Sequence, residues 1–137
     1  MIVVDAGAWA LALTSSDRVG ERAREALSID PHWTMPAHGP IETLRTIRRL
    51  ESASHITSEG AFKALEAMCQ TKLDIVLPEP WLLEAIWEVR RNVSPYDAAY
   101  LVIAQQAHCS LVTLDKRLAR ACLQLGVEPV IPGETFY

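Results

Sequence analysis

Short, uninterrupted runs of Val, Ile and Leu recur along this chain, and stretches with helical spacing separate them. The runs are Met1–Asp5, Asp74–Leu77, Ser110–Leu114 and Val127–Ile131. A strand that is apolar on nearly every residue has both faces covered, as in a parallel sheet between helices. A half-solvated sheet would alternate instead. Between the runs, Ala8–Leu13 reads as a helix. Asp17 caps a second, with Val19, Ala23, Ala26 and Leu27 at its apolar positions. A third runs from about His38 to Leu50 with Ile41, Leu44 and Ile47 on one face, and a fourth opens at Ser58 with Phe62, Leu65 and Met68 inward. Pro80–Arg91 places Leu83, Ile86, Trp87 and Arg90 at helical spacing. Ser94 and Pro95 start a helix to about Ala107, and Lys116–Leu125 is closed by Gly126. Asp30–Pro36 reads as a loop with room for a short strand. The pattern predicts a single domain over residues 1–137, a three-layer α/β/α fold around a short central parallel sheet, with no repeat or linker.

Half of the 137 residues are hydrophobic, enough for a substantial core. Charges interrupt every apolar stretch, so no bilayer-spanning segment is expected. Asp5 inside the first apolar run, with no positive charge ahead of it, argues against a secretory signal. Cys69, Cys109 and Cys122 are odd in number and lack CxxC spacing. They read as three buried small hydrophobes in a reducing cytoplasm, not as a disulfide framework or a zinc site. His32, His38, His55 and His108 show no metal-binding spacing. Trp87 is expected in the core. Core placement is also expected for Trp9 and Trp33, which are otherwise the candidates for a partner surface. The net charge of −4 opposes nucleic-acid binding through the overall field, unless several acids surround bound cations and so reverse the local sign.

In an open parallel sheet, sites form beyond the carboxyl ends of the strands. Asp5 ends the first strand and Asp115 follows the run Ser110–Leu114. Asp97 lies in the first turn of the helix at Pro95, and Glu42 lies in the first turns of its own helix. Each has a local explanation. Asp5 and Asp115 suit helix N-caps, Ser94-Pro-Tyr-Asp97 is a capping box, and Glu42 suits the helix dipole or a pair with Arg45 or Arg49. Together they also suit convergence on one cleft. Hard oxygen donors select Mg²⁺ or Mn²⁺, and such a site favours phosphodiester hydrolysis. Arg45 and Arg49 share the helix face of Glu42, and Lys116, Arg117 and Arg120 follow Asp115. All five are candidates for holding phosphate; for Arg45 and Arg49 a solvated face or a pair with Glu42 weighs equally, and for Lys116, Arg117 and Arg120 a solvated helix face is the favoured reading. Asn92 reads either as a residue that orients the site or as a helix end.

Four segments carry a resemblance to a known family. They are Met1-Ile-Val-Val-Asp5-Ala, Ile41-Glu42-Thr-Leu-Arg-Thr-Ile-Arg-Arg49, Trp87 through Asn92 to Asp97-Ala-Ala-Tyr100, and Leu111-Val-Thr113-Leu-Asp115-Lys-Arg-Leu118. The chain resembles the PIN-domain ribonucleases of the VapC type, the toxin half of bacterial toxin–antitoxin pairs. The third and fourth segments are the most specific. Arg45 departs from the polar Asn that often stands three positions after the second acid. The resemblance implies Mg²⁺-dependent endonucleolytic cleavage of RNA that leaves a 5′-phosphate and a 3′-hydroxyl. It implies catalytic roles for Asp5, Glu42, Asp97 and Asp115, with Thr113 as accompanying hydroxyl, and it implies a homodimer inhibited by a small antitoxin. An aspartate-based phosphoryl-transfer module is the main rival. Gly7, however, occupies the place of the second acid that the phosphatase type needs. Asp5 has no acidic neighbour, and no late strand ends in Lys, as a receiver domain would require. A catalytically silent scaffold would be favoured by the loss of an acid, and all four are present.

Overall fold

A computed structural model describes residues 1–133, so the last four residues of the expected domain lie outside the described residues. Five strands alternate with seven helices. The strands are β1 (Ile2–Val4), β2 (Trp33–Pro36), β3 (Leu73–Val76), β4 (Ser110–Val112) and β5 (Pro129–Val130). The helices are α1 (Ala6–Thr14), α2 (Arg18–Leu27), α3 (Gly39–Ser52), α4 (Ser58–Gln70), α5 (Pro80–Glu88), α6 (Pro95–Ala107) and α7 (Lys116–Gln124). All strand pairs are parallel, in the order β3-β2-β1-β4-β5. The expected three-layer fold is present. The short strand allowed within Asp30–Pro36 is present as β2, which pairs with β1 at Trp33 and Thr34 and with β3 along all four residues.

Strand β1 and the Leu111–Val112 part of β4 are apolar because helices cover both faces. Val3, Val4, Leu111 and Val112 are all fully buried. Helix α6 crosses this centre, and Ala98 through Ala104 are all buried. Trp9 is in the core, while Trp33 is half-buried, with its indole N–H given to the carbonyls of Leu27 and Asp30. Gly126 adopts φ 72° after α7, a left-handed position that a side chain would strain.

Several expected core residues face outward. On α5 the covered face is Leu82 with Ala85, Ile86 and Val89, one residue out of phase with the expected stripe. Leu83 is therefore exposed. Trp87 is 65% exposed, with the Arg90 guanidinium 4.4 Å from its ring centre. On α3, Gly39, Thr43 and Ile47 are covered, and Ile41 and Leu44 are not. On α4, Ala64 and Met68 are covered, with Ala61 partly so, while Phe62 and Leu65 are exposed. Val19 of α2 is also exposed. At Gly39 the approach is close: a Cβ would lie 2.7 Å from the Met35 methyl, so α3 presents a residue without a side chain there. Cys69, too, is exposed, whereas Cys109 is partly and Cys122 fully buried.

Candidate functional site

The chain runs from β1 outward through β2 to β3, then returns to place β4 on the other side of β1. That reversal opens a crevice between the carboxyl ends of β1 and β4, where open parallel sheets form their sites. Asp5 and Thr113 follow these two strands directly. Val4 is in register with Val112, and the Asp5 N–H donates to the Val112 carbonyl at 3.0 Å. The N-termini of α1, α3, α6 and α7 carry Asp5, Glu42, Asp97 and Asp115 respectively. Each helix start is a favourable place for negative charge.

Asp5 occupies the N-cap position of α1, but its side chain caps nothing there. The Thr113 hydroxyl instead donates to Asp5 Oδ2 at 2.6 Å, and the same oxygen of Thr113 accepts the Asp115 N–H at 3.0 Å. Thr113 is fully buried, so it fixes both acids to one point of the sheet. Burial pushes the Asp5 carboxyl up from 3.8 to about 6. The Thr113 hydrogen bond opposes that rise, and the charges of Asp97 and Glu42 add to it. Asp5 thus feels the charges of Asp97 and Glu42, and no Lys or Arg among the described residues pairs with it.

The other three acids sit in different surroundings. Asp115 is exposed and caps α7, with Oδ1 accepting from the N–H groups of Arg117 and Leu118 at 2.9 and 3.2 Å. Asp97 is half-buried. Its N–H reaches the Ser94 hydroxyl at 3.4 Å, the first half of the capping box. Asp97 and Asp115 line one cleft of about 160 Å³ together with Asn92 and Arg117. Glu42 pairs with neither Arg45 nor Arg49. Its Oε1 accepts from the Tyr100 hydroxyl at 2.8 Å and lies 3.4 Å from His38 Nε2. Burial and the Glu42 charge hold the Tyr100 phenol above its usual range, so it stays a donor. No signal in the sequence singled out His38 or Tyr100 as partners of Glu42, which needed the contact between α3 and α6.

Asn92, Arg45, Arg49, Lys116, Arg117 and Arg120 are all exposed. A larger hollow of about 420 Å³, lined by His32, Lys72 and Asp74, lies at the opposite, N-terminal ends of β2 and β3. Its size does not make it the better site. The acids concentrate at the other edge, where the topology also points.

The donor chemistry of Asp5, Asp97 and Asp115 fits a hard divalent cation. Among the described residues, no three Asp, Glu, His or Cys side chains stand together as a ready-made metal cage. Bare carboxylates repel, and here each of Asp5, Glu42 and Asp115 is satisfied by a neighbouring donor instead.

A family model described as PIN domain matches residues 2–123. A VapC ribonuclease of Mycobacterium bovis is 34% identical over 123 residues, covering 87% of this chain and 89% of its own. Ribonuclease VapC1 of Mycobacterium tuberculosis is 33% identical over 98 residues, covering 72% of this chain and 70% of its own. Among solved structures, the Mycobacterium tuberculosis toxin VapC20, described as cleaving the sarcin–ricin loop, superposes with a TM-score of 0.67 at 20% identity. That match covers 88% of this chain and 95% of the other. FitAcB from Neisseria gonorrhoeae gives a TM-score of 0.73 at 15% identity over 98% and 100% of the two chains. The structural matches carry the fold, the sequence matches carry the kinship, and together they show that this chain belongs to the PIN-domain family, among its VapC-type members.

Proposed function

We propose that this protein is an endoribonuclease, the toxin of a toxin–antitoxin pair, and that it cuts RNA with a divalent cation held at the β1–β4 crevice. The observation that carries this reading is Asp5, a partly buried acid that pairs with no Lys or Arg among the described residues, held by the buried Thr113 hydroxyl and pushed up to about 6 by burial and by the charges of Asp97 and Glu42. Acids that face one crevice are suited to a cation from solution. Asp5, Asp97 and Asp115 would hold Mg²⁺ or Mn²⁺, with Glu42 at the edge. A bound cation would make its water more acidic than bulk water and would supply positive charge for the phosphate.

The chain's own groups set the geometry. Thr113 orients Asp5 through Oδ2, and the α7 N–H groups occupy only Oδ1 of Asp115. Asn92 lines the same cleft and is placed to orient the Asp97–Asp115 side. Arg45, Arg49 and Lys116 form the basic rim for RNA phosphates, which a chain of net charge −4 needs locally. The relatives' names support a cognate antitoxin as partner. The outward apolar residues of α3, α4 and α5 support association, with a homodimer as the resting form. No helix among the described residues is long and apolar enough to cross a membrane, and cytoplasmic residence is part of the proposal.

The test is Asp97→Asn in purified, antitoxin-free protein. Cutting of RNA in Mg²⁺ should fall at least about 100-fold, with the circular dichroism spectrum and the melting transition retained. An Asn variant that cuts at the wild-type rate would refute the metal reading.

A further inference from the structure

Resting on the reading that Glu42 belongs to the cutting site, we propose that Tyr100 is a positioning residue that, with His38, holds the Glu42 carboxylate toward the acids of the crevice and away from the arginines of its own helix. Glu42 has nearby alternatives. Arg45 and Arg49 follow it at three and seven positions, on the same face of α3. Neither bonds to it among the described residues. The carboxylate instead turns to α6, 58 residues away in sequence, where the fully buried Tyr100 donates at 2.8 Å. A buried tyrosine hydroxyl needs an acceptor, so the bond satisfies both partners.

His38 closes the arrangement from the start of α3. Its Nε2 stands 3.4 Å from the same Glu42 oxygen and 3.1 Å from the Tyr96 carbonyl. Its ring meets Tyr96 and Tyr100 edge-on, with centroids 5.3 and 5.6 Å away. The residue before α3 is thus tied to the first two turns of α6. Both contacts fall on Oε1, so Oε2 is committed to neither. Asp97 and Tyr100 are three apart on α6, so one turn of that helix carries a site acid and the donor that fixes another.

The experiment measures Mn²⁺ affinity of the RNA-free protein by electron paramagnetic resonance, alongside single-turnover cutting, for Tyr100→Phe, Glu42→Gln and the double variant. Tyr100→Phe removes only the hydroxyl. It should weaken Mn²⁺ binding and slow cutting by about 10-fold, the usual effect of removing an outer partner of a metal site. RNA affinity in the absence of metal should not change. Glu42→Gln should lose at least as much, and the double variant no more than Glu42→Gln alone. His38→Gln, at a partly exposed position, should reproduce the pattern with smaller losses, and it serves if Tyr100→Phe does not fold. Wild-type behaviour of the Tyr100 variant beside an impaired Glu42→Gln would overturn the proposal while leaving the site standing. Losses that multiply in the double variant would also overturn it, since Tyr100 would then act on stability alone. Wild-type Mn²⁺ binding and cutting by Glu42→Gln would remove Glu42 from the site, and the proposal with it.

Discussion

The crevice at β1 and β4 and the outer surface of α3, α4 and α5 use apolar and polar residues in opposite ways. At the crevice, fully buried Val4 and Val112 deliver Asp5 and Thr113 to one point, where the Thr113 hydroxyl joins the Asp5 carboxylate to the Asp115 N–H. On the outer surface, Ile41, Phe62, Leu83 and Trp87 face solvent, 54% to 69% exposed, while Gly39, Thr43 and Ala64 face inward. The inner region is fixed by packing and hydrogen bonds within the chain. The outer one has apolar area beyond what the fold needs, a pattern that marks surfaces of association. Bulk alone does not identify the covered side of a helix. At the start of α3, where the chain approaches Met35 closely, Gly39 does.

The largest expected effect separates the two regions by stability. Leu101→Ala on α6, at a fully buried position, should cost about 2–5 kcal/mol. Phe62→Ala, at a 60% exposed position, should cost about 0.5 kcal/mol or less. Denaturant melts of the two variants decide it. A large loss at Phe62 would show that the outer surface belongs to the folding core of the isolated chain.

A smaller effect tests the strain at the crevice. A carboxyl that titrates near 6 when folded, against 3.8 ordinarily, binds its proton more tightly in the folded state. Stability of the metal-free protein should therefore fall as pH rises through that window. Asp17 and Asp30, held below the usual range, give the opposite slope, but only at pH below 3.8. Asp5→Asn should flatten the fall between 3.8 and about 6, and above it should melt higher than wild type without metal. Adding Mg²⁺ should raise the wild type and not the variant. Parallel pH profiles for the two proteins would show that Asp5 is not the strained group.

The smallest effect concerns the boundary between the regions, where Arg45 and Arg49 project from α3. Replacing both with Gln should weaken RNA binding and flatten the slope of log affinity against log salt by about 1.4, two phosphate contacts on a single strand. An unchanged slope would mean that the RNA is gripped elsewhere.

Much of this was legible in the amino-acid sequence, and the losses share a physical origin. The apolar runs locate β1, β4 and β5, which are largely covered, and they locate β3 as well, although β3 is an edge strand with Asp74 and Ile75 exposed. β2 was nearly lost, since Asp30, Pro31 and Pro36 bracket it with turn residues. The positions of Asp5, Asp97 and Asp115 were readable from element ends. So were two of their local roles, because the Asp115 side chain does cap its helix and the Asp97 N–H does meet Ser94. The Asp5 cap was not realised, because Thr113, 108 residues on, takes the carboxylate. The Glu42 partners were likewise invisible, since Tyr100 reaches Glu42 only once α6 lies against the start of α3. Helical periodicity located the elements and the covered residues Ile47, Met68 and Ile86, but it also turned inward Ile41, Leu44, Phe62, Leu65, Leu83 and Trp87, which face out.

The most direct test of the central claim is a crystal of the antitoxin-free protein soaked in Mn²⁺ and measured at a wavelength where manganese scatters anomalously. An anomalous peak should appear at the carboxyl ends of β1 and β4, with oxygens of Asp5, Asp97 and Asp115 turned onto it at about 2.1–2.3 Å. No peak there, or a peak at the His32–Asp74 end of the sheet instead, would contradict the claim that these acids form the cutting site.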